Sequence, residues 1–187
     1  MHKKIIFLDH DGVVCLSNDW GSRSKKIEKW FKENGKTEII NVPASVRFDN
    51  FDKKAIKVLN RVLEVTDAEI VISSDWKELS SLEGFREMYK SYGVIKSPIS
   101  ITPNLRDFDH YTSSLFTHKG WLERARCLEI KRWLELNPTE NWVSVDDLNL
   151  SNEYLNPGLD NFVHTPRSSE GIKQSGVEEK IIKILNK

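Results

Sequence analysis

Three observations predict an α/β fold, a Rossmann-like parallel sheet with helices on both faces. Short, almost uncharged β-prone runs recur along the 187 residues, at Ile5 to Leu8, Ala68 to Ile72, Trp142 to Val145 and Phe162-Val163. Between them lie segments whose apolar residues repeat at helical spacing, the alternation expected of strands buried on both faces and joined by helical crossovers. The first three runs each lead directly into acids or hydroxyls, as strands do when their carboxyl ends open on a ligand crevice.

The first strand, Ile5 to Leu8, gives way to a polar turn from Ser17 to Gly21. A short helix is expected next, with Ile27, Trp30 and Phe31 on one face and Ser24 as its amino-terminal cap. Residues 36 to 50 read as irregular, with Pro43 and a short hairpin, and Lys53 to Val65 reads as a helix carrying Ile56, Leu59 and Leu63 inward. Leu79 to Tyr92 is expected to be helical and to end at Gly93, with a further strand at Val94-Ile95 or at Ile99-Ser100-Ile101. Residues 102 to 120 read as a long polar loop. Cys127, Ile130 and Leu134 mark another helix, Asn149 to Gly158 is turn-rich, and Val177, Ile181, Ile184 and Leu185 mark the last helix. There is no internal repeat, and 187 residues favour one domain, residues 1–187, with a small insertion at about 16–50.

Asp9-His10-Asp11-Gly12 places two carboxylates two positions apart at the exit of the first strand, where Gly12 lets the backbone turn sharply. One carboxylate can attack phosphorus while the other protonates the leaving oxygen and then deprotonates water. Anions crowded around a phosphate call for a cation, and oxygen ligands without Cys or His favour Mg²⁺ or Mn²⁺ over Zn²⁺. Asp-x-Asp-Gly is also a common turn sequence. Its weight here comes from repetition: Ser73-Ser74-Asp75-Trp76 ends the second run, Asp146-Asp147 ends the third, and Arg126 lies in the helix before it.

This ordered set resembles the haloacid dehalogenase superfamily, over most of the chain. The resemblance implies that Asp9 is the nucleophile, Asp11 the general acid/base, Ser73 the phosphate-binding hydroxyl and Arg126 the basic clamp. It further implies Mg²⁺ as cofactor, held by Asp9, Asp11 through its backbone carbonyl, and the Asp146-Asp147 pair. The family's basic residue is more often Lys, so Arg124 and Lys131 stay open as alternatives to Arg126. An acid two positions after the nucleophile resembles the phosphatase and phosphomutase branches and points to phosphomonoester hydrolysis. The polar turn after the first strand matches the position of the superfamily's flap. Ala68 to Trp76, Ile101-Thr102-Pro103 and Arg126-x-x-Glu129-Ile130-x-x-Trp133-Leu134 resemble a branch found in multifunctional RNA repair proteins, and distantly the phosphatase half of phage polynucleotide kinase.

Many superfamily members insert a cap domain over a small substrate. Neither gap between the core strands leaves room for a full one, and an open site suits a phosphate on the end of something large. Together with the resemblance to the RNA-repair branch, this implies a terminal phosphate of RNA or DNA as the expected substrate. A nucleotide or other small phosphomonoester is the runner-up, with a phosphorylated protein third. A non-catalytic module that binds a phosphorylated ligand also stays open. A phospho-acceptor receiver is disfavoured by order, since receivers carry the modified Asp on the third strand and a Lys near the end.

With 28 basic and 28 acidic residues, the chain has no global attraction for nucleic acid, though a local basic groove is compatible with this balance. Cys15 and Cys127 suggest no disulfide framework, and the amino terminus is too short and too soon acidic for a secretory signal, so a cytoplasmic location is expected. No apolar run approaches the roughly 20 residues of a membrane span. Nothing in the sequence sets the oligomeric state.

Gly12, Ser74, Trp76 and Lys77 are the candidates for substrate contact. Trp76 follows a strand end directly and reads equally as a platform for a base or as packing over the strand. Trp30, Trp121, Trp133 and Trp142 read as packing residues. His10, between the two acids, is expected to point away from the pocket, because alternate residues face opposite sides. His110 and His118 read as substrate contacts or solvated side chains. Lys77, Arg86, Arg106 and Arg124 read as a phosphate-tracking rim or as dispersed surface charge.

Overall fold

A computed structural model describes residues 3–16, 22–105 and 120–187. Five strands, β1 (Ile5–Leu8), β2 (Glu69–Ile72), β3 (Ser100–Ile101), β4 (Trp142–Asp146) and β5 (Phe162–His164), form one sheet in the order β3-β2-β1-β4-β5. Every neighbouring pair is parallel. The α/β expectation therefore holds. In the central register Leu8 lies opposite Ile72 on one side and Val145 on the other, so Asp9, Ser73 and Asp146 follow at one level along the carboxyl edge.

The side-chain period of two divides β1 between two cores. Ile6 and Leu8 join the core beneath α3 (Lys53–Thr66), α4 (Leu82–Ser91) and α6 (Val177–Leu185). Ile5 and Phe7 join the opposite core, covered by α5 (Trp121–Leu136) and by Leu150, Leu155 and Leu159. Such two-sided burial is why β1 reads as an unbroken apolar run. On α3 the inward stripe Ile56, Leu59, Val62 and Leu63 is buried, at about 1.5–3 kcal/mol per side chain. Its cap, Asp52, accepts from Lys54 N at 2.9 Å and Ala55 N at 2.8 Å and contributes about 1 kcal/mol. Packing therefore outweighs capping in holding that helix.

The first helix, α1 (Ser22–Asn34), starts earlier than expected, so Ser24 lies inside it and is not its cap. No hairpin forms in residues 36–50: a 3₁₀ turn at Ile39–Asn41 and the short α2 (Ala44–Arg47) take its place, and Phe48 and Phe51 carry the buried contacts. The helix expected from Leu79 starts only at Leu82, where Ser81 caps α4, and a separate 3₁₀ turn capped by Ser74 precedes it at Asp75–Glu78. Of the two candidates for the third strand, Ser100–Ile101 pairs with β2. Trp133 is buried, whereas Trp30, Trp121 and Trp142 are half-buried. Trp133 and Trp142 both pack edge-on against Phe7. The turn Ser17 to Gly21, Arg106, His110 and His118 lie outside the described residues. Among the described residues no second sheet forms, and no helix is long and apolar enough to cross a membrane.

Candidate active site

Three parallel strands, each ending beside the next, deliver the site's acids together. Asp9, Asp146 and Asp147 each offer a carboxylate oxygen within 4.8 Å of the others. The Asp9 amide donates to Val145 O at 3.1 Å, tying the exit of β1 to β4. Gly12 adopts φ +71°, and a Cβ there would stand 2.6 Å from Cγ of Asp147, so only glycine lets the two loops approach this closely.

Burial disfavours charge on all three acids. It pushes Asp9 up to about 6 and Asp147 up to about 7, and it lifts Asp146 well above the usual carboxylate range. Arg126 opposes the rise in each case. Its Nη1 stands 3.2 Å from Asp9 Oδ1 and 2.8 Å from Asp146 Oδ2, and Nη2 reaches Asp75 at 2.9 Å. Nη1 also donates to the Ser73 carbonyl. Three crowded, hard oxygen ligands with one fixed cation beside them fit a divalent ion of the Mg²⁺ class. The Asp11 carboxylate is not in this group. Arg124 is exposed and Lys131 Nζ turns to the Pro157 carbonyl at 3.3 Å, so of the three basic candidates Arg126 is the one placed against the acids.

Ser73 Oγ is buried without a hydrogen-bond partner among the described residues, at the end of the strand beside Asp9. A buried hydroxyl with nothing to bond is costly and suits a ligand oxygen. Ser74 lies close enough to Asp9 for its hydroxyl to favour the ionised carboxylate, while its Oγ also accepts from Trp76 N at 3.4 Å.

The family model for the HAD domain in Swiss Army Knife RNA repair proteins matches residues 5–177. The chain belongs to that family. Searches of curated proteins and of solved structures give no match.

Within this HAD domain, Asp11 is held by Arg23, which the sequence did not single out, and by Trp76, which it offered in another role. Arg23 on α1 grips it with two nitrogens, at 2.8 Å to Oδ1 and 3.2 Å to Oδ2, and Trp76 Nε1 donates to Oδ2 at 2.8 Å. The Arg23 guanidinium stacks over the Trp76 ring at 4.4 Å and pairs with Asp49 at 3.1 Å. Burial works against its charge, but Asp11 and Asp49 outweigh this and raise its pKa.

Two candidate substrate contacts are corrected. Trp76 is 1% exposed, its ring stacked against Phe48 and Phe51 and overlaid by the Arg23 guanidinium, so it offers no platform to a base. It reaches the site only through Nε1. Lys77 turns inward to Glu129 at 2.5 Å and to the Pro103 carbonyl at 3.1 Å, and both charged side chains are about 95% buried. Burial lowers the Lys77 pKa and Glu129 partly restores it. Lys77 therefore braces Glu129, which lies 3.9 Å from Arg126 Nε, and is not part of an exposed rim. Arg86 is likewise engaged, by Glu83 and the Pro98 carbonyl.

His10 does point away from the acids. It is fully buried, with Nε2 2.8 Å from the Tyr89 hydroxyl and its ring against Trp76, Phe51 and Phe85, and burial drives its pKa down to about 3. A neutral imidazole in an aromatic cage is a packing residue.

Proposed function

We propose that this HAD domain is a phosphatase that hydrolyses phosphomonoesters through an aspartyl-phosphate on Asp9, acting on a terminal phosphate of RNA or DNA. The observation that carries the chemistry is the juxtaposition of Asp9, the partnerless Ser73 hydroxyl and the Arg126 guanidinium at one sheet edge. In-line attack by an Asp9 oxygen forms an O–P bond as the bond to the leaving oxygen breaks, and Asp11 gives that oxygen its proton. Water then attacks the phosphoryl group, Asp11 takes the water's proton, and Asp9 is released with inorganic phosphate. Ser73 donates to a non-bridging oxygen as charge accumulates there. Arg126 spends most of its N–H groups on Asp9, Asp146, Asp75 and the Ser73 carbonyl, so it acts mainly as the fixed counter-charge of the site. A divalent ion held by Asp9, Asp146 and Asp147 would neutralise charge that Arg126 alone leaves uncompensated.

The nucleic-acid end rests on the family's occurrence in RNA repair proteins and on the short insertions among the described residues. Asp9→Asn, nearly isosteric, should abolish turnover of an aryl phosphate with the fold intact, and wild-type turnover in that variant would refute the nucleophile. The substrate is tested by kcat/KM on 3′-phosphorylated, 5′-phosphorylated and mononucleotide substrates at matched ionic strength. Preference for one oligonucleotide end supports the proposal. Preference for mononucleotides or sugar phosphates would overturn the polynucleotide reading and leave the phosphatase chemistry standing.

A further inference from the structure

Asp11 is the end point of a relay of donors from two separate elements. Arg23 comes from α1, and Trp76 from the turn after β2, 65 residues away in sequence from Asp11. Arg and the Trp indole can only donate. Among the described residues, Oδ2 receives Arg23 Nη1 and Trp76 Nε1, which uses both of its acceptor positions, whereas Oδ1 receives Arg23 Nη2 alone. Each donor is itself fixed. Arg23 is held by Asp49 and by the Trp76 face, and Trp76 by Phe48 and Phe51. A carboxylate in a surface turn needs only water, yet this one is bound from two sides while a quarter of its side chain, 24%, stays exposed.

We infer that Arg23 and Trp76 are positioning residues for proton transfer: they fix the Asp11 carboxyl so that the remaining lone pair of Oδ1 exchanges the proton with the leaving oxygen and then with water. This rests on the phosphatase reading and adds to it which atom of Asp11 works and what aims it. In the first step the proton leaves Oδ1 for the departing oxygen as the P–O bond breaks. In the second, the same atom receives a proton from the attacking water, so the cycle closes without any other acid or base. The donors touch neither phosphorus nor the leaving group in this scheme, and their loss is felt only through the aim of Asp11.

Protonation of the leaving oxygen matters most when that oxygen is a poor leaving group, which separates positioning from a general structural role. The experiment measures kcat/KM, which reports phosphoryl transfer, on 2,4-dinitrophenyl phosphate and on an alkyl phosphate. The variants are Trp76→Phe, which keeps the stacked ring and removes one donor, and Arg23→Lys and Arg23→Gln, which remove the fork with and without its charge. All three variants should stay within about threefold of wild type on the dinitrophenyl ester and fall on the order of 10²-fold on the alkyl ester. Equal losses on both esters, or no loss on either, would overturn the inference while wild-type turnover keeps the phosphatase reading intact. Absence of wild-type turnover on the dinitrophenyl ester would overturn both. If Trp76→Phe alone fails to fold, as judged by circular dichroism, the two Arg23 variants decide the outcome.

Discussion

Arg126 and Asp9 face each other across 3.2 Å at the carboxyl edge of the sheet, both almost wholly buried. The same guanidinium reaches Asp146 and Asp75 and lies 3.9 Å from Glu129, so one cation serves four carboxylates. Arg126→Ala should cost about 3–5 kcal/mol in unfolding free energy, since it strands buried acids without a partner. Arg126→Lys keeps the charge but not the planar fork that spans several partners, and should fall between alanine and wild type. Urea unfolding in chelator checks this, and a wild-type midpoint for the alanine variant would contradict it.

Ser73→Ala should behave in the opposite way. Its hydroxyl is buried and bonds to nothing, so removing it costs little and the melting temperature should stay near wild type. Loss of one donor to the developing charge should nonetheless lower kcat on the order of 10²–10³-fold. A large fall in stability, or unchanged turnover, would show that the hydroxyl has another role.

Metal-free protein should lose stability as pH rises through the acidic and neutral range. Asp9 and Asp147 move from 3.8 to about 6 and about 7 on folding, so between these limits the native state holds protons that the unfolded chain has released. Their contribution is complete below about 4 and disappears as pH passes 6 to 7, with a limiting slope of about 1.4 kcal/mol per pH unit for each group. Asp147→Asn removes one of the two and should flatten the decline. Mg²⁺ should protect more at pH 7 than at pH 5, because it competes with protons for the same oxygens. Thermal melts across pH, with chelator and with Mg²⁺, read both effects; a profile identical in wild type and Asp147→Asn would count against the assignment.

The sheet and its acidic edge were legible because both are local patterns. Uncharged runs such as Ile5 to Leu8 mark central strands, and acids immediately after them can only lie at the strand ends. What escaped was non-local. Arg23 sits in a helix of ordinary basic character, and nothing in its spacing reveals that its fork closes on Asp11 and Asp49. Trp76 carried two readings because a tryptophan after a strand end can pack or stack, and the choice was made by Phe48 and Phe51, far away in sequence. Lys77 reads from sequence as a substrate contact or as surface charge because its partner Glu129 arrives from α5, far away in sequence.

The outermost strands have a consequence for how molecules of this protein meet one another. β3 spans two residues and β5 three, so among the described residues each flank of the sheet presents only a short row of peptide groups. A neighbouring chain seeking to extend the sheet finds too few unpaired N–H and C=O groups to register against. The longer and more apolar strands that would template such growth, of four and five residues, lie in the middle, where β1 is flanked by β2 and β4. The order of the strands therefore guards against edge-to-edge aggregation as well as gathering the acids at one edge.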